Sequence, residues 1–308
     1  MKFLGVNVKS NFFLAPMADV TNLPFRLLCK KYGCGMGFTE QINSTQIARN
    51  KEQFEKEEFH SIKTCKEEKP VCVQLFGNRA EDFGTAAKII EKKFEILNIN
   101  CGCPAPKETS IGAGAALLKE PKKIAEIIKE MKSIAKKPIT AKIRLGWNKN
   151  EGIKIAKVIE KAGADAIIIH GRTAVQGYSG EADWKAIRKI SENVSIPVVA
   201  NGDVDSKESA EMILEKTKCE FAMIGREAMR NPLIFREITE GEKASEEEKV
   251  NLFFEYYELC KKYRVVEFTD LKIKAMQFTK GIEGTKKTRV EIVNAKKIEE
   301  IKSALKKL

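Results

Sequence analysis

Eight short apolar runs, spaced so that helical patterns fit between them, constrain this chain more than any other feature. They are Phe12–Ala15, Gly37–Thr39, Val71–Leu75, Ile96–Asn100, Ile139–Arg144, Ala166–His170, Val198–Asn201 and Phe221–Ile224. Runs this short and apolar read as strands buried on both faces. Between them, Ala80–Lys93, Lys122–Ala135, Ile153–Ala162 and Ser206–Lys216 carry apolar residues at three- and four-residue spacing, the mark of amphipathic helices. Strand alternating with helix gives βα units and a parallel sheet. Eight such units close into a (β/α)8 TIM barrel of about 250 residues, which leaves a small appendage in a chain of 308. A doubly wound open sheet is the alternative, but it does not explain why every run ends in reactive or turn-forming residues.

Those ends are Pro16-Met17, Glu40, Gln74, Cys103, Lys142 and Arg144, His170 and Arg172, Asn201-Gly-Asp203, and Gly225-Arg226. In a barrel they converge on the mouth, where the loops after the strands build the active site. Cys103 lies in Asn98-Ile-Asn-Cys-Gly-Cys-Pro-Ala-Pro-Lys107, where Gly102 permits a sharp bend and Pro104 ends sheet pairing. The thiol is thereby presented at a strand's carboxyl end. The turns Asn201-Gly202-Asp203 and Ile224-Gly225-Arg226 follow strands seven and eight, where barrels commonly hold phosphate. Their glycines let backbone N–H groups approach it, and Arg226 adds charge.

Other motifs are weaker. Gly112-Ala-Gly114 lacks the third glycine and the preceding strand of a dinucleotide fingerprint, and no GxxxxGK[ST] occurs. Cys101 with Cys103 and Cys29 with Cys34 do not form matched ligand couples, and with two histidines in the chain no metal site is expected. Of those two, His60 lies in a charged stretch and reads as facing solvent.

A Gly- and charge-rich connector near Gly241–Ser245 divides the chain into residues 1–241, the barrel, and 245–308, an all-helical part. Asn251–Tyr263, Phe268–Lys280 and Thr288–Lys307 read as its three helices. Net charge is +12, and Lys261–Leu308, with 14 basic and 6 acidic residues, holds +8 of it. That asymmetry favours a polyanionic partner, with Lys272, Lys274, Lys286, Lys287 and Arg289 as candidate phosphate contacts. Eight irregularly spaced cysteines, and a start at Met1–Ser10 too short and mixed for a leader, point to a reducing cytoplasm. No run reaches the roughly 18 apolar residues of a membrane span. A soluble monomer is expected.

The ordered pieces Leu14-Ala-Pro-Met-Ala18, Asn22-Leu-Pro-Phe-Arg26, Val73-Gln-Leu-Phe-Gly77, the Cys103 segment with Gly112-Ala-Gly-Ala-Ala-Leu-Leu118, Lys142-Ile-Arg-Leu-Gly-Trp147, His170-Gly-Arg-Thr173, Tyr178-Ser-Gly180 and Ala182-Asp-Trp184 resemble the dihydrouridine synthases. These are flavin enzymes that reduce uridines in tRNA. The family usually has an acidic residue where this chain has Asn98. The resemblance implies FMN across the barrel mouth, with the Pro16, Met17 and Ala18 backbone and Gln74 at the isoalloxazine edge, Lys142 and His170 near the ring, and Asn201, Gly202, Asp203, Gly225 and Arg226 at the phosphate. It further implies NADPH or NADH as electron donor, hydride transfer to C6 of uracil, and protonation of C5 by Cys103. Asn100, Lys107 and Arg172 are candidates to orient the substrate. A small-molecule dihydropyrimidine oxidoreductase on the same barrel is the alternative, though it would not need a basic helical extension. A noncatalytic RNA-binding barrel would keep that extension but gain nothing from aligned strand-end groups.

Overall fold

Residue alternation within each strand sorts the side chains of this protein into two cores. The computed structural model describes residues 1–55 and 62–308; His60 lies outside them. Its eight parallel strands are β1 Phe12–Leu14, β2 Gly37–Asn43, β3 Val71–Phe76, β4 Ile96–Cys101, β5 Ile139–Arg144, β6 Ala166–His170, β7 Val198–Asn201 and β8 Phe221–Ile224. From β2 onward each pairs with the next in sequence, and β8 pairs with β1. A parallel bridge between Phe13 and Met36, with Leu14 N donating to Met36 O at 3.0 Å, closes the ring. The barrel expected from the sequence is present.

On β5, Ile139, Ala141 and Ile143 face outward into the layer shared with the helices, while Thr140, Lys142 and Arg144 alternate with them. The inner core is filled low in the barrel by Phe13, Phe38, Cys72, Ile96, Ile168 and Phe221 with their neighbours. Phe3, carried by a hairpin of Lys2–Phe3 and Val6–Asn7, joins this core and packs edge-on against Phe13 and Phe221 at 5.2 and 5.0 Å. Each such buried ring stabilises by about 1.5–3 kcal/mol, which leaves the upper barrel free to be polar.

Strand β2 departs from expectation. It runs to Asn43 rather than Thr39, through an irregularity between Phe38 and Gln41 that brings Gln41 opposite Gln74. Such a bulge re-aims a side chain, and here it adds Gln41 to the mouth.

The C-terminal part has four helices rather than three: Glu246–Lys262, Phe268–Phe278, Lys286–Asn294 and Ile298–Leu305. Ser245 starts the first with a reciprocal capping box, Glu248 returning its carboxylate to the Ser245 amide. The expected Thr288–Lys307 helix breaks at Ala295, whose backbone is extended. Ile292, Ala295, Ile301 and Leu305 are all buried on either side of the break, so apolar spacing does not reveal it. Among the described residues no helix is long and apolar enough to cross a membrane.

These helices attach next to the barrel mouth. Asn22 caps the Leu23–Lys31 helix through Phe25 N, and its Nδ2 donates to Tyr256 Oη at 2.7 Å. Tyr256 in turn hydrogen-bonds Asp270. Lys274, expected to meet RNA phosphate, is instead 0% exposed. Its amine donates to Val20 O at 3.2 Å and lies 4.3 Å from the Phe25 ring centroid. It is a strut between the helical part and the segment after β1.

Candidate active site

The carboxyl ends of the strands enclose a cavity of about 680 Å³, within the usual range for a cofactor or small-ligand site. Its walls include Pro16, Met17, Ala18, Gln74, Asn100, Cys103, Lys142, His170, Asn201, Gly202, Asp203, Gly225 and Arg226. All of these are residues expected at the mouth from the sequence.

The thiol is set by its neighbour in the motif. Asn100 Oδ1 accepts from Gly102 N at 3.0 Å and Cys103 N at 2.9 Å, turning the chain as it leaves β4. Gly114, at φ +59°, packs under this turn; a Cβ there would come within 2.7 Å of Cys103 O. The Gly112-Ala-Gly114 motif thus serves close backbone approach. Burial is the main influence raising the Cys103 pKa, and the charge of Glu108 adds to it. Cys101, two residues earlier, is fully buried among apolar side chains.

A ladder of amides crosses the barrel below the cavity. Gln74 Nε2 donates to Asn98 Oδ1 at 2.7 Å, and Asn98 Nδ2 donates to Thr140 Oγ1 at 2.8 Å. Asn100 Nδ2 donates to both Gln74 Oε1 and Gln41 Oε1, at 2.8 and 2.7 Å. Asn98 is 0% exposed and orients Gln74 with a neutral group.

The cations are held without carboxylates at one side and with one at the other. Lys142 donates to Asn201 Oδ1 at 3.0 Å, and Asn201 Nδ2 donates to Met223 O at 2.8 Å. Desolvation, then the charge of Arg144, pushes the Lys142 amine down to about 7. His170 is held at about 2, first by burial and then by Lys142, Arg144, Arg172 and Arg226, so its ring is neutral. Arg172 Nη1 stands 3.3 Å from its Nε2; an arginine only donates, so the ring proton is on Nδ1.

Across the mouth, Gly202 at φ +127° leaves no room for a side chain, since a Cβ would meet Ala182 Cβ at 2.7 Å. Asp203, itself left-handed at φ +57°, takes both arms of Arg172 at 2.9 and 2.7 Å, Arg226 Nη2 at 2.7 Å and Ala182 N at 2.7 Å. Burial alone would raise its pKa, but the Arg172 hydrogen bonds, the Ala182 amide and both guanidinium charges hold it low. Its side chain therefore fixes Arg226, whose guanidinium lies 5.0 Å from the Tyr178 ring.

The substrate candidates lie in differing surroundings. Arg172, expected to orient the substrate, is 2% exposed and spent on Asp203, Ser179 O and Gly180 O. Lys107 is exposed and outside the cavity wall. Arg289 is half-buried and anchored to Met276 O at 2.7 Å, and Lys272 donates to Val293 O at 2.8 Å; Lys286 and Lys287 are exposed. Glu40 lies off the cavity wall, its carboxyl pushed up to about 7 by burial and then by Asp19. Conversely, Gln41, Arg144 and Tyr178 line the cavity without having been assigned a role. Arg144 and Tyr178 stood in quoted motifs; Gln41 is placed by a bulge that no residue pattern announces.

Chemistry gathered at the carboxyl mouth of a closed βα barrel marks the active site of a barrel enzyme. The family model described as dihydrouridine synthase (Dus) matches residues 13–307. Relatives include tRNA-dihydrouridine synthase B of Pseudomonas putida, 41% identical over 75% of this chain and 68% of that one. Another, named "Probable tRNA-dihydrouridine synthase" in Aquifex aeolicus, is 33% identical over 95% of this chain and 94% of its own. Similar solved structures include 2-naphthoyl-CoA reductase, with a TM-score of 0.62, 12% identity and coverage of 79% of this chain and 52% of that one. Histamine dehydrogenase from Rhizobium sp. 4-9 follows at 0.58 and 13%, covering 84% and 50%. The chain spans about half the length of these two, which share its fold. The chain belongs to the dihydrouridine synthase family and is an oxidoreductase.

Proposed function

We propose that this enzyme reduces uridine in tRNA to 5,6-dihydrouridine with FMN, drawing electrons from NADPH or NADH. The observation that carries this reading is Cys103, its backbone amide held by Asn100, on the wall of a cavity that Lys142 also lines.

The residues present fit a flavin mononucleotide. Lys142 has no carboxylate partner among the described residues and points its charge at the cavity, where an anionic ring edge would satisfy it. Gln74 is fixed at both ends of its amide and keeps one N–H for a ligand. The side-chain-free Gly202 and the guanidinium of Arg226 suit a phosphate. When bound and reduced, FMN supplies hydride to C6 of a uracil.

Cys103 then gives its S–H proton to C5. Raised by burial and by Glu108, its pKa keeps it protonated near neutrality, as a general acid must be. Asn100 holds the Cys103 backbone and the Gln74 amide together, so acid and ring edge share one frame. The helices of 245–308, carrying exposed Lys286 and Lys287, dock the RNA. Eight free cysteines suit a reducing cytoplasm.

The test is spectroscopic. The purified protein should be yellow, and its reduced chromophore should be reoxidised by tRNA lacking dihydrouridine but not by free uridine. Reoxidation by free uridine alone would select the small-molecule reading.

A further inference from the structure

One buried acid at the site enters the reaction described above only through its charge. Glu108, on the short Pro106–Thr109 turn of helix, is 6% exposed. Its Oε1 accepts from Gln41 Nε2 at 2.7 Å, while Oε2, also buried, has no hydrogen-bond partner among the described residues. A buried carboxyl with half its acceptor capacity unused is costly, so its place beside the thiol needs a reason. The cations that face the thiol, Lys142 and Arg144, are engaged elsewhere. Lys142 bonds Asn201, and Arg144 bonds the carbonyls of Gly102, Thr173 and Gly177.

Glu108 faces Cys103 instead. A Cβ on Gly114 would lie 3.3 Å from Glu108 Cβ and 3.4 Å from Cys103 Cβ, so the two side chains flank the space that this glycine leaves open. Gln41 completes the cluster. Its Nε2 is 2.7 Å from the carboxylate and 3.9 Å from Cys103 Sγ, and its Oε1 accepts from Asn100.

We propose that Glu108 is a positioning residue for Cys103, its carboxylate holding the proton on sulfur between turnovers and drawing one back from solvent after each. This rests on reading Cys103 as the proton donor. In the reductive step the S–H bond breaks, the C5–H bond forms, and the electron pair stays on sulfur. Thiolate and carboxylate then adjoin, and their mutual repulsion favours uptake of a proton. The pair takes up one proton from bulk water and the thiol is restored. Without the carboxylate, burial alone would oppose Lys142 and Arg144, and the thiol would ionise at lower pH.

The test alkylates the purified holoprotein with iodoacetamide across pH and follows the Cys103 peptide by mass spectrometry. Glu108→Gln keeps the bond to Gln41 and removes the charge. Its alkylation midpoint should fall by about one pH unit or more, making reaction near neutrality roughly tenfold faster. Glu108→Asp should restore most of the original midpoint. The alkaline limb of single-turnover reduction should move down with the midpoint. Should the Gln variant fold poorly, Glu108→Leu, which removes a poorly paired buried acid, should show the same fall. An unchanged midpoint in a folded Gln or Leu variant overturns the proposal. The alkylation arm needs no RNA, so it decides the pairing even if tRNA proves not to be the substrate.

Discussion

At the residue scale, the informative signals were polar groups where parallel strands end. A lysine or histidine closing a run such as Ile139–Arg144 or Ala166–His170 is out of place in a strand buried on both faces, so its chemistry shows in the sequence. Glu108 and Gln41 left no such trace, one looking like a surface acid beside Lys107 and the other depending on the β2 bulge. Lys274 misled because lysine on an amphipathic helix reads as solvated; Phe25 and Tyr256, distant in sequence, bury it. Lys142 makes a prediction for the flavin-free protein. Its amine falls from an ordinary 10.5 in the unfolded chain to about 7 when folded, chiefly through burial. Between those values the unfolded chain binds more protons, so stability should rise with pH from about 7 upward. Lys274, lowered to about 8 by burial, contributes a parallel rise. Urea midpoints of Lys142→Met should therefore climb less steeply over that window than those of wild type. Identical pH profiles would show that the amine is not desolvated.

At the element scale, all eight strands were legible, four of them to the residue: β5, β6, β7 and β8. Short runs bounded by turn residues define their own limits. The last helix was not, because buried positions continue on both sides of Ala295 while the backbone does not. The C-terminal helices also divide the cations by environment. Lys274 and Arg289 are packed in, whereas Lys286 and Lys287 open the Lys286–Asn294 helix and are exposed. Replacing both with Gln should weaken tRNA binding and lower the log–log salt slope by about 0.7–0.9 for each lysine that meets a phosphate, with flavin content unchanged. Equal affinity and slope in a salt titration would assign these lysines to solvent alone.

At the scale of the whole molecule, the helical part is fastened to the segment that follows β1, through Asn22, Tyr256 and Lys274. That segment continues from Pro16, Met17 and Ala18 on the cavity wall, so the helical part is fastened to the same stretch of chain that walls the cavity. A uridine within folded tRNA must leave its stack to reach the cavity, at a cost of a few kcal/mol that binding elsewhere on the RNA must offset. The fold thus supplies a shaped mouth and a basic extension. The most direct measurement is single-turnover reduction of tRNA lacking dihydrouridine by prereduced enzyme, comparing wild type with Cys103→Ala and Cys101→Ala. Cys103→Ala should keep its flavin and lose about 10²- to 10⁴-fold in rate, the span for removing a general acid, while Cys101→Ala stays close to wild type. Equal rates for the two variants would contradict the assignment of Cys103 as the proton donor.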